Sequence, residues 1–388
     1  EQVVHETTRT FGECQVALGQ TGSREFVDAI LDCEPNRLDD AFRERLFART
    51  QGHALFTVEL LRSLEERGVI VRGDDGRWVE GGELDWQRLP ARVEGVIGER
   101  IGRLSQRSRD LLAAASVEGA DFTVEVLARL RGEPAGEVVR LLSQELDRRH
   151  RLVQARGLRE VEAGRLSLFG FSHVLFQHYL YGTLNEVERA HLHGQVGELL
   201  AALYGDRAEE IAPQLAWHFE QAGDADRAIT HLQLTAASCA RRTGHEEAIH
   251  HLRRALDLLS SRRESPDRDR TELHLQLGLM PSVFATRGFG SAEAGACAER
   301  ALELADRLGD EPLLLPVLFH GSAFYSSQAN YERGLELASR MLELAQRRGD
   351  ALNEAMAHLV VGLARYFMGD LGAGRDHMLR LLKLYDPD

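Results

Sequence analysis

The stretch that decides the fold is LELADRLGD at residues 302–310, which returns as LELAQRRGD at residues 342–350. Seven of the nine positions are identical at an offset of 40 residues, and Leu382 and Leu384 continue the interval one period later. Self-similarity at a fixed period of this length is the signature of helical repeat arrays. The C-terminal part of the chain is therefore predicted to be an α-solenoid.

Each predicted unit has two apolar helical runs with a short polar turn between them, as at residues 355–368, Gly369-Asp370 and residues 371–385. Small residues recur at one place in the second run, five positions after the turn opens or in step with the period: Ala228, Ala294, Gly334 and Gly374. Two helices must approach closely there, and a larger side chain is predicted to push them apart. The unit resembles the tetratricopeptide class, with a period longer than the usual 34 residues.

One such hairpin cannot bury its apolar face alone, and stacking against the next hairpin supplies the missing partner. Two functions fit this architecture. The repeats could form a concave surface that binds a protein, a peptide or another effector, or they could serve as a spacer or oligomerisation scaffold.

The composition excludes several classes of function. The 388 residues suggest two or three domains, and a net charge of −14 argues against nucleic acid as a bulk electrostatic partner. Lys383 is the only lysine and stands between two leucines. A P-loop needs a lysine after glycine to reach the nucleotide phosphates. The chain therefore has no Walker A motif, and its glycine pattern at residues 19–23 is predicted to be a turn.

The cysteines point to a reducing compartment. Cys14, Cys33, Cys239 and Cys297 are scattered without CxxC spacing, which predicts neither a disulfide framework nor a structural zinc site. No signal peptide and no apolar run of membrane-spanning length is present. We expect a cytoplasmic protein that does not enter a membrane.

Helical periodicity divides the chain into three predicted segments. Residues 1–85 hold three helices and a short hairpin near residues 69–79. Residues 86–205 begin with helices, continue with two strands at residues 151–153 and 166–169 around a charged loop, and return to helix at residue 171. Three helices followed by a two-stranded wing are typical of a winged helix. Residues 206–388 form the repeats, so the fold class is mainly α.

A winged helix raises the alternative of a DNA-binding transcriptional regulator. The helix before the wing, residues 135–150, carries three arginines and three carboxylates: Arg140, Arg148, Arg149, Glu137, Glu145 and Asp147. The sum is zero, whereas groove binding depends on a basic face. The broad apolar stripe of this helix favours a buried winged helix that couples domains.

Several stretches resemble parts of bacterial STAND ATPases, the signal-transduction NTPases with numerous domains. TQGHALFTVELL at residues 50–61 resembles the TGGNPLFxxELL helix of their lid, and residues 89–105 are similar to their LPxxVxxxIxxRLxxL segment. FSHVLFQHYLY at residues 171–181 resembles their FRHxLxxxxxY stretch, and the repeats resemble their helical repeats. Gln51 and Ser172 depart from the glycine and arginine that are usual there.

The resemblance implies the lid, winged-helix and repeat part of such a regulator. ATP or ADP would then bind to a nucleotide domain outside this sequence, and no cofactor is expected in the chain itself. His173 matches a histidine that contacts the nucleotide in related proteins and is the nucleotide-sensing candidate. The alternative is that His173 only caps or packs at the start of its helix. Output domains of the cyclase, kinase or LuxR type, and oligomerisation on activation, are further implications.

No catalytic or metal-binding constellation emerges from the sequence. His245 and His250 flank two glutamates, as in a zinc hydrolase motif, but they are five residues apart and therefore about 140° around a helix. His191 and His193 also point to different faces, and no serine or cysteine stands in a recognisable nucleophile elbow. The chain is expected not to be an enzyme.

Overall fold

The computed structural model describes residues 24–50, 52, 54–81, 93–162 and 164–384. Four predictions fall outside the described residues: the turn at residues 19–23, Cys14, the helix start at Pro90 and the end of the last repeat at residues 385–387. Contacts divide the chain into two compact units. The first unit comprises Glu1–Gly157 and Ser167–Asn185, and the second comprises Leu158–Leu166 and Glu186–Asp388.

The first unit begins with three helices and a hairpin. The elements are α1 (Arg24–Asp32), α2 (Asp40–Thr50), α3 (Ala54–Glu66), β1 (Ile70–Arg72) and β2 (Trp78–Glu80). The two strands pair antiparallel, with Val71 opposite Val79. The carboxylate of Asp39 accepts a hydrogen bond from the backbone N–H of Phe42 at 2.7 Å and so caps α2. Phe42, Leu46 and Leu60 are fully buried between the helices.

The chain continues with helices and a three-stranded sheet, of which residues 158–166 are assigned to the second unit. The elements are α4 (Val93–Gly102), α5 (Gln106–Glu118), β3 (Asp121–Thr123), α6 (Val124–Arg131), α7 (Ala135–Arg140), a π-helix (Leu141–Arg149), β4 (Val153–Val161), β5 (Gly164–Phe171) and α8 (Val174–Thr183). The strand order is β3-β5-β4. Ser105 caps α5, as its place before the helix predicts, because its hydroxyl accepts from the N–H of Ser108 at 3.1 Å.

The predicted loop between the two wing strands is wrong, because β4 and β5 extend through it and leave only a short turn. Both ends of β4 are buried but the residues between them are exposed, so the strand shows no alternation of apolar and polar residues. Phe171 was expected in a helix and instead ends β5. The three residues of β3 give no strand signal of their own.

The second unit is an array of helices. It contains α9 (Glu186–Tyr204), a 3-10 helix (Gly205–Ile211), α10 (Ala212–Gln221), α11 (Ala225–Arg241), α12 (His245–Ser260), α13 (Pro266–Arg287), α14 (Ala292–Leu308), α15 (Glu311–Ser327), α16 (Tyr331–Arg348), α17 (Ala351–Phe367) and α18 (Leu371–Leu384). Each helix from α10 onward packs on the next, and the short turns make neighbours antiparallel. Helices α11, α13, α15 and α17 also contact one another in sequence, which defines one layer of the array.

The predicted fold class, mainly α with a solenoid, is therefore confirmed. The predicted boundaries after residues 85 and 205 do not coincide with the two units. Val96 of α4 is buried in the same core as Phe42, Leu46 and Leu60, so the first two predicted segments share a hydrophobic core. None of the described helices is both long and apolar enough to cross a bilayer.

Candidate functional site

The small residues of the repeats lie where the helices approach most closely. Gly374 of α18 is buried, and a Cβ atom added to it would stand 3.1 Å from the carbonyl oxygen of Gly362 and 3.3 Å from the backbone nitrogen of Tyr366. Gly334 of α16 is similarly close to the backbone of α15, at Ser322 and Ser326. Ala228 and Ala294 are fully buried in α11 and α14. These residues act in packing and present no group that binds a ligand.

A buried network of charges joins α13 to α14 within the repeats. The carboxylate of Glu272 accepts two hydrogen bonds from the guanidinium of Arg300, at 2.6 and 2.9 Å, and Arg307 pairs with Asp269 at 3.0 Å. Hydrogen bonding to Arg300, which outweighs burial, holds the pKa of the Glu272 carboxyl below its usual range. Since each buried carboxylate of α13 has an arginine partner on α14, we interpret the network as a structural link between the two helices.

His173 lies in the first unit, at the junction of β5 and α8. It is the N-cap residue of α8, and its Nδ1 accepts a hydrogen bond from the N–H of Leu175 at 3.2 Å. The capping role anticipated as the structural alternative is therefore present. It fixes the ring at the helix start and implies that Nδ1 carries no proton while this bond is made.

His173 also lines a cavity of about 380 Å³ inside the first unit, which we call the His173 cavity. Three parts of the chain form it: α3, Arg151 two residues after the π-helix, and the segment at the start of α8. The lining residues are Ala54, Val58, Glu59, Arg62, Arg151, Ser172, His173 and Phe176. The sequence analysis singled out two of them, His173 and Ser172.

Two arginines make the His173 cavity electropositive. Burial, followed by the positive charge of Arg151, lowers the pKa of the Arg62 guanidinium. Arg151 has a left-handed backbone with φ of 51°, an uncommon conformation for a residue with a side chain. The hydroxyl of Ser172 donates to the carbonyl oxygen of Arg151 at 2.8 Å and holds that turn. Because the charge of Arg151 disfavours the charged form of Arg62, an anion between the two side chains would be favoured.

A buried ion pair sits at one wall of this cavity. Glu59 of α3 is 1% exposed and Arg100 of α4 is 7% exposed, and their side chains are hydrogen-bonded. Arg62 donates to the other carboxylate oxygen of Glu59 at 3.2 Å, and Arg100 also donates to the carbonyl oxygen of His150. Burial, followed by the charges of Arg103 and Arg151, lowers the pKa of Arg100 to about 10, so it remains a cation at neutral pH.

Sequence reasoning missed four residues that line this cavity or form the ion pair at its wall: Glu59, Arg62, Arg100 and Arg151. Glu59 stands inside the stretch that resembles the STAND lid, and Arg151 ends the basic run at residues 148–151. Neither signal shows that α3 and α8 share a cavity, because that depends on tertiary contacts. Among the described residues, no three His, Cys, Asp or Glu side chains lie close enough to hold a metal ion.

Comparison with known proteins gives solved structures of low identity to this chain. No protein-family model matches the chain, and no curated protein matches it. The crystal structure of BtubC (BKLC) from P. vanneervenii is 17% identical with a TM-score of 0.41, over 52% of this chain and 84% of that one.

Two further solved structures are similar to this chain over most of its length. One is a STAND protein with a tetratricopeptide repeat sensor from Pyrococcus horikoshii, with 14% identity and a TM-score of 0.34 over 93% of this chain. This chain spans 53% of the length of that protein. The apo form of RapI is 13% identical with a TM-score of 0.36, over 74% of this chain and 65% of that one. Likenesses of this size do not assign the chain to a family.

Proposed function

We propose that this chain is the regulatory and sensor part of a STAND-type ATPase. The repeats of the second unit bind a protein or another effector, and the winged-helix part of the first unit passes the binding event to a nucleotide domain supplied by the full-length protein. Effector binding would act by shifting the population between two packed arrangements. Chemistry on ATP would belong to the nucleotide domain, and this chain would contribute binding and transmission without catalysis.

The observation that carries this proposal is the His173 cavity. The histidine selected by its resemblance to a nucleotide-contacting residue lies in one cavity with Arg62 and Arg151, whose charges suit a phosphate. The cavity also contains Glu59, the residue that ties α3 to α4 through Arg100. A phosphate that arrives or leaves would therefore change the electrostatic balance of a buried network.

The test is retention of ADP by the full-length protein with His173→Ala. We expect faster release of ADP than from the parent, because one contact to the phosphates is lost. His178→Ala is the matched control, since His178 is exposed on the same helix and does not line the cavity. Equal ADP retention in the parent and the His173 variant would remove the proposed sensor.

The repeat function is tested by capture of an effector from solution with the second unit as bait, followed by its identification. The DNA-binding alternative predicts a band shift with duplex DNA that weakens steeply with salt. The neutral charge of the helix before the wing and the burial of its Val138, Leu142 and Leu146 support the domain-coupling role. Hydrolysis of ATP by this chain alone would contradict the non-catalytic assignment.

A further inference from the structure

A second cavity of the first unit has no role in the function proposed above. It has a volume of about 310 Å³, and we call it the arginine cavity. Its lining comes from the end of α3, the end of α4 and the residues that follow the π-helix: Glu66, Arg100, Arg103, Arg149, His150 and Leu152. It shares no lining residue with the His173 cavity.

The arginine cavity has more arginines than carboxylates in its lining. Arg100 is held in place by Glu59 and by the carbonyl oxygen of His150, and Arg103 pairs with Glu66 at the rim. Arg149 has no carboxylate partner among the residues that the structure describes. Three arginines and one carboxylate, Glu66, therefore line the cavity, and with Glu59 behind Arg100 the formal charge of the group is +1.

Burial, and then nearby arginines, lower the pKa values of His150 and Arg100, and the second effect is expected where the local electrostatic potential is positive. Burial, followed by the charge of Arg149, lowers the pKa of the His150 imidazole, and Arg100 lowers it too while Glu145 and Glu66 raise it. Arg100 is affected in the same way by Arg103 and Arg151. A cation added to this cavity would be repelled. An anion would relieve the repulsion between the arginines.

The arginines could instead be placed here to stabilise the C-terminal ends of two helices, since α4 ends at Gly102 and the π-helix ends at Arg149. The negative end of a helix stabilises a cation by roughly 0.3–1 kcal/mol. This explains Arg100, which bonds directly to the carbonyl of His150. It does not explain why Arg103 and Arg149, from two different elements, converge on one cavity. A π-helix that re-aims a side chain is itself frequent at functional sites.

We propose that the arginine cavity binds a small phosphate-type oxyanion. Arginine presents donors in a planar fork that matches phosphate oxygens, and the cavity combines one buried arginine, Arg100, with two more exposed ones, Arg103 and Arg149. The volume lies at the low end of the range for ligand pockets, which suits inorganic phosphate or pyrophosphate and not a whole nucleotide. Neutral His150 can add one N–H donor.

The test is calorimetric titration of inorganic pyrophosphate into this chain at low ionic strength. We expect Arg149→Ala to weaken binding at least tenfold. Arg148→Ala is the matched control, because Arg148 is equally exposed on the same π-helix but does not line the cavity, and it should bind like the parent. Circular dichroism of both variants checks that they fold alike.

Three outcomes would overturn the proposal. Equal losses in Arg148→Ala and Arg149→Ala would mean diffuse attraction to a basic stretch. A loss confined to Arg62→Ala and His173→Ala would place the anion in the other cavity. Displacement of pyrophosphate by duplex DNA would indicate a surface that binds nucleic-acid backbone. Because none of these results depends on ADP retention by the full-length protein, this proposal and the proposed function can fail separately.

Discussion

The two units reach stability by different routes. In the repeats, each helix packs on its neighbours along the chain, and the core is made of leucines and alanines that recur with the period. In the first unit, residues far apart in sequence meet, as Glu59 meets Arg100 and Gln177 meets the carbonyl of Ser116. The repeats can therefore be recognised from the sequence, whereas the two cavities of the first unit depend on contacts that no local pattern reveals.

The largest effect is expected from breaking the buried pair of the first unit. Glu59→Gln leaves the Arg100 cation buried without its carboxylate, and removing one partner of such a pair costs about 3–5 kcal/mol. Hydrogen exchange should show lost protection in α3 and α4 and unchanged protection in α13–α18. Glu66→Gln is the control: its pair with Arg103 is exposed and should contribute less than about 1 kcal/mol. Equal effects would show that burial does not distinguish the two pairs.

The next effect concerns close packing in the repeats. Gly374→Val places atoms against the backbone of α17, and overpacking of this kind costs roughly 1–3 kcal/mol. Gly372→Val is the same change in the same helix, with only Asp370 within 4.0 Å of its Cβ. Urea unfolding gives the free energy of unfolding of both variants, and hydrogen exchange in α17 and α18 locates the loss. The difference between the variants is the cost of overpacking. If the two variants are equally stable, α17 and α18 do not depend on a small residue at this position.

A third prediction concerns pH and two histidines of α9 and α10. Nδ1 of His193 and Nδ1 of His218 lie 2.9 Å apart, and both side chains are fully buried. Burial and then Arg189 lower the pKa of His193 to about 4, and burial and then His193 lower the pKa of His218 to about 3. Both are therefore neutral in the folded state, while the unfolded chain takes up protons below pH 6.5 or so.

Stability from this pair is complete above pH ~6.5 and is lost as the pH falls towards the folded-state pKa values. Between about pH 6 and 5 the loss should reach about 2 kcal/mol, since each proton contributes about 1.4 kcal/mol per pH unit. Thermal unfolding across this range is the measurement. His218→Gln should make the curve less steep, since His193 and other histidines whose pKa is lowered by burial, such as His320, remain, and His250→Gln, at an exposed position, should leave the slope unchanged. A parent curve that is flat between pH 6 and 5 would contradict the prediction.

The smallest effect is expected at the helix caps that end the two copies of the repeated nine-residue motif. Asp350 caps α17, with its carboxylate 3.1 Å from the N–H of Asn353, whereas Asp310 in the matching position makes no such bond to α15. Asp350→Ala should cost about 1 kcal/mol. Asp310→Ala should cost less, because its pair with Arg270 at 3.6 Å is partly exposed. Thermal midpoints that fall by the same amount would show that the cap bond adds nothing.

The sequence predicted the repeats, which follow from periodicity, and missed the cavities, which depend on contacts between residues far apart along the chain. The interval from Leu304 to Leu344 identified the repeats, and both side chains are buried. The same reasoning selected His173 through a resemblance and left open whether it caps its helix, which it does. It could not find Arg62 or Arg151, because charged side chains on a helix and in a turn are usually solvated. The two side chains line one cavity because the tertiary structure brings α3 close to the segment that follows the π-helix.

The single lysine of the chain has a practical consequence. Lys383 is exposed near the end of α18, in the last hairpin described. Reagents that acylate amines will mark this side chain and the terminal amine, so a fluorophore attached there reports on the last repeat. A protease that cleaves only after lysine will meet one peptide bond of its specificity in 388 residues. Cutting there would leave residues 1–383 as one fragment for mass spectrometry.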